Sequence, residues 1–138
     1  MKQEYTISTW DRDRWPNFSF DEVKCSHTGF CFIDPDVMDK LQEIRYEVGP
    51  ITISSAYRAA AHPAEAKKVR PGSHPTGKAF DIVCCLGEAH DILYWAMRLG
   101  FTGIGVKQHG PMDKRFLHLD FIETEDNFHA PRPTLWSY

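Results

Sequence analysis

No stretch of this sequence is apolar for anything near the roughly 20 residues that cross a bilayer. The N-terminal MKQEYTISTWDRDRW also lacks the apolar centre of a signal peptide. The expectation is a soluble chain, cytoplasmic when made, with no membrane partner and no export by the ordinary secretory route. A basic surplus is missing too: 16 lysines and arginines face 19 aspartates and glutamates, for a formal net charge of −3. Counterion-driven binding to nucleic acid is therefore not expected. The short cluster Arg58, Lys67, Lys68 and Arg70 reads as solvated surface. Cysteines number four, and none has CxxC spacing, which argues against a four-cysteine structural zinc site. Cys84 and Cys85 sit in an apolar run and read as small hydrophobes. Cys25, His27 and Cys31 leave open a second metal site or a disulfide, although the incomplete ligand set favours a plain cysteine-containing loop.

Repeats, low-complexity runs and Pro/Gly linkers are absent as well, so residues 1–138 read as one domain, long enough for a hydrophobic core without disulfide staples. Residues 1–18 read as an N-terminal arm or edge strand; Trp10 and Trp15 could pack within the chain or dock a neighbour. Ser19-Phe-Asp-Glu22 is a capping box that starts a short helix. Asp34-Pro35 is an N-cap followed by proline at the first helical position. Val37, Leu41, Ile44 and Val48 then form one apolar stripe until Gly49-Pro50 ends the helix. Residues 51–55 are β-branched and strand-like. Tyr57 to Gly77 is a long connection with one helical turn near Ala64–Val69, and such connections are often functional. Strands are expected at 79–84, 101–106 and 115–122, the last two joined by a Gly-Pro turn, with an amphipathic helix over 87–99. The fold class is α+β, a single domain with a mainly antiparallel sheet flanked by helices.

Chemistry-bearing residues collect in two places. In a strand, residues two apart share a face. Phe116, His118 and Asp120 thus lie opposite Leu117, Leu119 and Phe121, on a face expected to look toward solvent. Asp81 likewise points away from Phe80 and Ile82, and an acid on an apolar strand must be paired, ligating or exposed. His74 precedes that strand in a loop stiffened by Pro75 and freed by Gly77. If the loop folds back, two imidazoles and a carboxylate meet, three of the ligand types of a catalytic zinc with a position left for water.

SHPTGKAFDI matches the SxHxxGxAxD motif of the zinc D-alanyl-D-alanine carboxypeptidase family, peptidoglycan peptidases whose fold is shared with hedgehog signalling domains. SSAYR (Ser54 to Arg58) resembles that family's S-x-YR segment. GFTGIGV (Gly100 to Val106) resembles its glycine-bearing strand, and FLHLD its closing FxHxD strand. The resemblance spans roughly residues 19–122, leaving 123–138 as a C-terminal extension. It implies one Zn2+ held by His74, Asp81 and His118. It also implies that Arg58 binds substrate carboxylate or the developing oxyanion, and that Ser73 binds substrate or shapes its turn.

Two departures from the family pattern bear on mechanism. Positions that carry an acid or a second histidine in several branches are Arg115 and Phe116 here, which leaves Asp120 as the candidate general base. Asp113 and His109 are alternatives, and Asp120 could instead orient His118. Pro63 replaces a family asparagine, and His62 reads as structural rather than as a fourth ligand. The resemblance implies a peptidase, monomeric, cutting peptidoglycan stem peptides or cross-links. It looks like a phage lysin or virion-associated enzyme acting on the cell wall after lysis or from a particle. The alternative is a non-catalytic, zinc-stabilised binding or phage structural module of the same fold.

Overall fold

In a computed structural model, which describes residues 1–138, the N-terminal segment returns onto its own chain. Strand β1 (Gln3–Tyr5) pairs antiparallel with β2 (Cys31–Ile33). Between them both tryptophans turn inward. Trp15 is 0% exposed, and its indole N–H donates to Asp39 Oδ1 at 2.8 Å. Trp10 donates to the Phe18 carbonyl at 2.8 Å, and the two indoles lie 4.9 Å apart with Tyr5 edge-on to each. Docking of this arm on a neighbour through Trp10 and Trp15 is therefore excluded: the rings belong to the chain's own core.

Helix α1 (Phe20–Val23) begins at Ser19, with the reciprocal Ser19–Glu22 bonds of a capping box in place. Helix α2 (Pro35–Val48) is capped by Asp34, whose Oδ1 accepts from the amides of Asp36 and Val37 at 2.9 and 3.3 Å. Its stripe Val37, Leu41 and Ile44 is buried, and Gly49 ends it at φ 89°. No helix is long and apolar enough to cross a membrane.

The main sheet has five strands: β3 (Thr52–Ser55), β4 (Ala79–Val83), β5 (Gly103–Lys107), β6 (Phe116–Asp120) and β7 (Thr134–Ser137). Their order is β3-β4-β6-β5-β7, antiparallel throughout except that β7 runs parallel to β5. A one-turn helix α3 (Pro63–Ala66) lies in the long connection, and α4 (Leu86–Arg98) follows β4. Phe80, Ile82, Ile104, Leu117 and Leu119 share a core with Met38, Leu41, Ile44, Ile92 and Ala96 of α2 and α4. Each of the larger of these side chains contributes about 1.5–3 kcal/mol on burial, so one sheet face is committed to holding the helices.

The opposite face carries the polar residues, and register aligns them. Asp81 is paired with His118 and Ala79 with Asp120 across β4 and β6. Gly103 faces Asp120 and Gly105 faces His118 across β5 and β6. That face does not look toward solvent, as alternation alone had led us to expect: His118 is 4% and Asp120 0% exposed. The cover is residues 123–138, which return to the sheet as β7 and lay Trp136 against the His118 ring, 5.3 Å between centroids.

Candidate metal centre

His74 is delivered by a 3₁₀ turn over His74–Thr76 that closes at Gly77 with φ 75°. A side chain at Gly77 would strike the Phe32 carbonyl at 2.6 Å, so both the conformation and the close approach require glycine. The same carbonyl-rich corner accepts the Asp34 amide at Gly77 O, 2.9 Å, tying the turn to the start of α2. His74 Nδ1 sits 2.6 Å from the Ala56 carbonyl. A carbonyl only accepts, so Nδ1 carries the hydrogen and Nε2 presents a lone pair. That Nε2 lies 3.3 Å from Asp81 Oδ2.

His118 is oriented in the complementary sense. Its Nε2 lies 2.9 Å from Asp120 Oδ2 and its Nδ1 2.9 Å from Asp81 Oδ1, so both ring nitrogens face carboxylates. His74, Asp81 and His118 thus bring one ligand atom each within 4.8 Å of one another. With the neutral His118 ring carrying its hydrogen on Nε2, toward Asp120, all three inner atoms are acceptors, and the cluster then calls for a positive charge at its centre. A proton answers that need in part. Burial opposes charge on His118, but Asp120 and Asp81 outweigh it and raise its pKa. Burial pushes Asp81 up, yet its bonds to His118 and His74 hold it well below the usual carboxylate range. A divalent cation competes for the same lone pairs, and the donor set suits one.

A family model described as peptidase M15 matches residues 16–120. The chain belongs to that family. No match was found among curated proteins. Peptidases of the M15 family depend on a metal, and the converging trio is where this member can hold it.

Part of this M15 site lies outside the matched span. Asp120 is clamped from beyond it by Arg132, whose Nε donates to Oδ1 at 2.9 Å and Nη2 to Oδ2 at 2.8 Å. Burial would raise Asp120, but the bonds from His118 and Arg132 keep it ionised below its ordinary range. Glycines make the room. A Cβ at Gly103 would overlap the Asp120 carboxylate, and one at Gly105 would meet the Trp136 indole at 2.6 Å. Sequence reading missed Arg132, although a signal was present: an acid on a core strand needs a cation, and Arg132 is the only lysine or arginine after Arg115.

The other site residues predicted from sequence scatter around this M15 centre. Ser73 Oγ lies 3.3 Å from His118 Nε2, beside the first ligand. Arg58 follows two residues after Ala56, and its Nη2 pairs with buried Glu65 at 3.2 Å; Lys68 also reaches Glu65, at 2.8 Å. Arg58 keeps 20% of its side chain exposed. Asp113 and His109 are exposed in the β5–β6 connection and bond to none of the three ligands. His62 caps α3 by accepting from the Ala64 amide at 3.0 Å, as a structural residue. Cys25 and Cys31 are free and buried, and His27 lies against the His62 ring. His74, Asp81 and His118 form the one group of three converging ligand types, and Cys25 and Cys31 are not bonded to each other.

Proposed function

We propose that this M15 chain is a zinc-dependent peptidase that hydrolyses peptide bonds of peptidoglycan stem peptides or cross-links, working as a monomer. The observation that carries the reading is the pair of outer hydrogen bonds, His74 Nδ1 to Ala56 and His118 Nε2 to Asp120. They aim His74 Nε2 and His118 Nδ1 at one carboxylate, Asp81. One zinc ion would be held by His74 Nε2, Asp81 and His118 Nδ1. When bound, it supplies Lewis acidity, polarising a carbonyl and making water acidic enough to react near neutral pH.

The protein's own residues do the rest. Arg58, its charge balanced by Glu65, offers a planar guanidinium to the substrate carboxylate or to the oxyanion that develops on the scissile carbonyl. Ser73 offers a hydroxyl beside the first ligand. Asp120 is assigned here to orienting His118 and not to accepting a proton from water. Both its oxygens already accept from Arg132, one also accepts from His118, and the residue has no exposed surface. Asp113 and His109 remain the candidates for the base, each tested by the pH–rate profile of its amide variant, Asp113→Asn or His109→Gln. The cellular setting proposed is that of a phage lysin or virion-associated enzyme, reaching the wall after lysis or from a particle.

Purified protein should carry one zinc per chain and release new amino and carboxyl termini from purified peptidoglycan, followed by mass spectrometry. The fragment masses would identify the bond cut. His118→Ala should lose both zinc and cleavage. Stoichiometric zinc with no new termini on any wall chemotype would overturn the peptidase reading and leave the metal as a staple of the fold.

A further inference from the structure

We infer that Arg132, outside the matched family span, is a positioning residue of the metal centre: it locks Asp120 so that His118 presents Nδ1 to the ion. The inference rests on the reading of His74, Asp81 and His118 as the metal ligands. Asp120 has no contact with solvent, so each of its lone pairs must be satisfied by the protein. Arg132 supplies two parallel N–H donors, the planar fork that fits a carboxylate, and its own side chain is only 8% exposed. The remaining donor to the carboxylate is His118 Nε2. With Arg132 in place the carboxylate has one orientation, and that orientation accepts from Nε2. Without it, Asp120 is free to rotate, and nothing fixes which ring nitrogen carries the hydrogen. A hydrogen on Nδ1 would fill the lone pair aimed at Asp81 and the ion.

Three further observations show a built arrangement. The guanidinium is held between the rings of Phe128 and Trp136, at 5.1 and 5.3 Å. The next segment is pinned to the sheet by the Thr134 amide, which donates to the Thr102 carbonyl at 2.8 Å, and by pairing of Thr134 with Gly103. Gly103 in turn leaves open the space that the Asp120 carboxylate fills. The segment that carries the arginine thus leads straight into β7, the hydrogen-bonded neighbour of the strand that makes room for its partner.

Zinc affinity by chelator competition, and the visible spectrum of the Co2+-substituted protein, test the assignment without reference to activity. Arg132→Gln should weaken zinc binding about 10–100-fold, the range for partners that orient a ligand, and should change the Co2+ spectrum. Arg132→Lys, which keeps the charge but not the fork, should fall between that variant and the parent. Added guanidinium at low millimolar concentration should restore part of the affinity of Arg132→Ala. Zinc affinity and a Co2+ spectrum unchanged in Arg132→Gln would overturn the inference, even with a lowered melting temperature, since the role would then be structural only. Should Arg132→Gln fail to fold, parental affinity in Arg132→Lys together with no guanidinium effect on Arg132→Ala would overturn it equally. A parent protein that binds no zinc would instead remove the metal-centre reading on which it rests.

Discussion

Gly105 illustrates how one hydrogen atom in place of a methyl group decides a site. It sits beside His118 in the register, and a Cβ there would meet Trp136 Nε1 at 2.6 Å and Tyr138 Cε2 at 2.9 Å. Gly105→Ala should displace the indole and cost about 1–3 kcal/mol, as overpacking does. Chemical denaturation and tryptophan fluorescence would read it, and an unchanged midpoint would mean that the C-terminal aromatics sit less tightly than described. Thiol reactivity is also set residue by residue. Burial pushes both Cys31 and Cys84 up to about 12, whereas Cys85 is partly exposed. A thiol reagent at neutral pH should therefore label Cys85 before Cys31 and Cys84, which should react only on unfolding. The convergence of His74, Asp81 and His118 was legible because motif spacing and strand alternation constrain them locally. Arg132 was not, because its partner lies twelve residues away and nothing local links them.

Helix α2 shows an element written almost completely in its own sequence. Its cap, proline and apolar stripe all act within one or two turns, so reading and structure agree. Asp34→Ala should cost about 1 kcal/mol by loss of the cap. Burial raises the Asp34 pKa, but bonds from the amino terminus and from the amides of Val37 and Asp36 hold it below the ordinary carboxylate value. A depressed folded-state value means that its contribution is complete above the unfolded pKa and fades as pH falls through the folded one. Asp34→Asn, which keeps a capping oxygen, should flatten that part of the acid limb in thermal melts taken from pH 7 down to pH 2. An unaltered limb would show that Asp34 is not held by these bonds. Strands β2 and β7 had no such legibility, and β1 was readable only as part of an arm or edge strand without bounds. They are three or four residues long, and what makes them strands is a partner elsewhere in the chain.

At the scale of the molecule, the sheet divides the work: one face anchors α2 and α4, and the other carries Asp81, His118 and Asp120 beneath the returning C-terminal segment. A chain shortened to residues 1–122 would remove from Asp120 both its counterion Arg132 and its cover, opening the carboxylate and the apolar surface under Trp136 to solvent. It would also strip β7 from the edge of β5. Such a chain should melt far below the parent or without cooperativity in calorimetry. A melting temperature within a few degrees of the parent would show that residues 123–138 contribute little to the fold.

What the sequence determined by itself was whatever short-range chemistry can encode: the caps, the helical stripe, the faces of β4 and β6, and the three ligand types with their order. Tertiary structure alone decided which of those faces would be dry. Alternation says that His118 and Asp120 point away from the helices, but not what lies over them. That depended on a segment returning from beyond Ile122, on two glycines leaving room for it, and on a guanidinium reaching a carboxylate across a gap in sequence. Burial is a property of the assembled chain, and it is burial that makes Asp120 depend on Arg132 and sets the lone pairs of His118 and His74 on a common point.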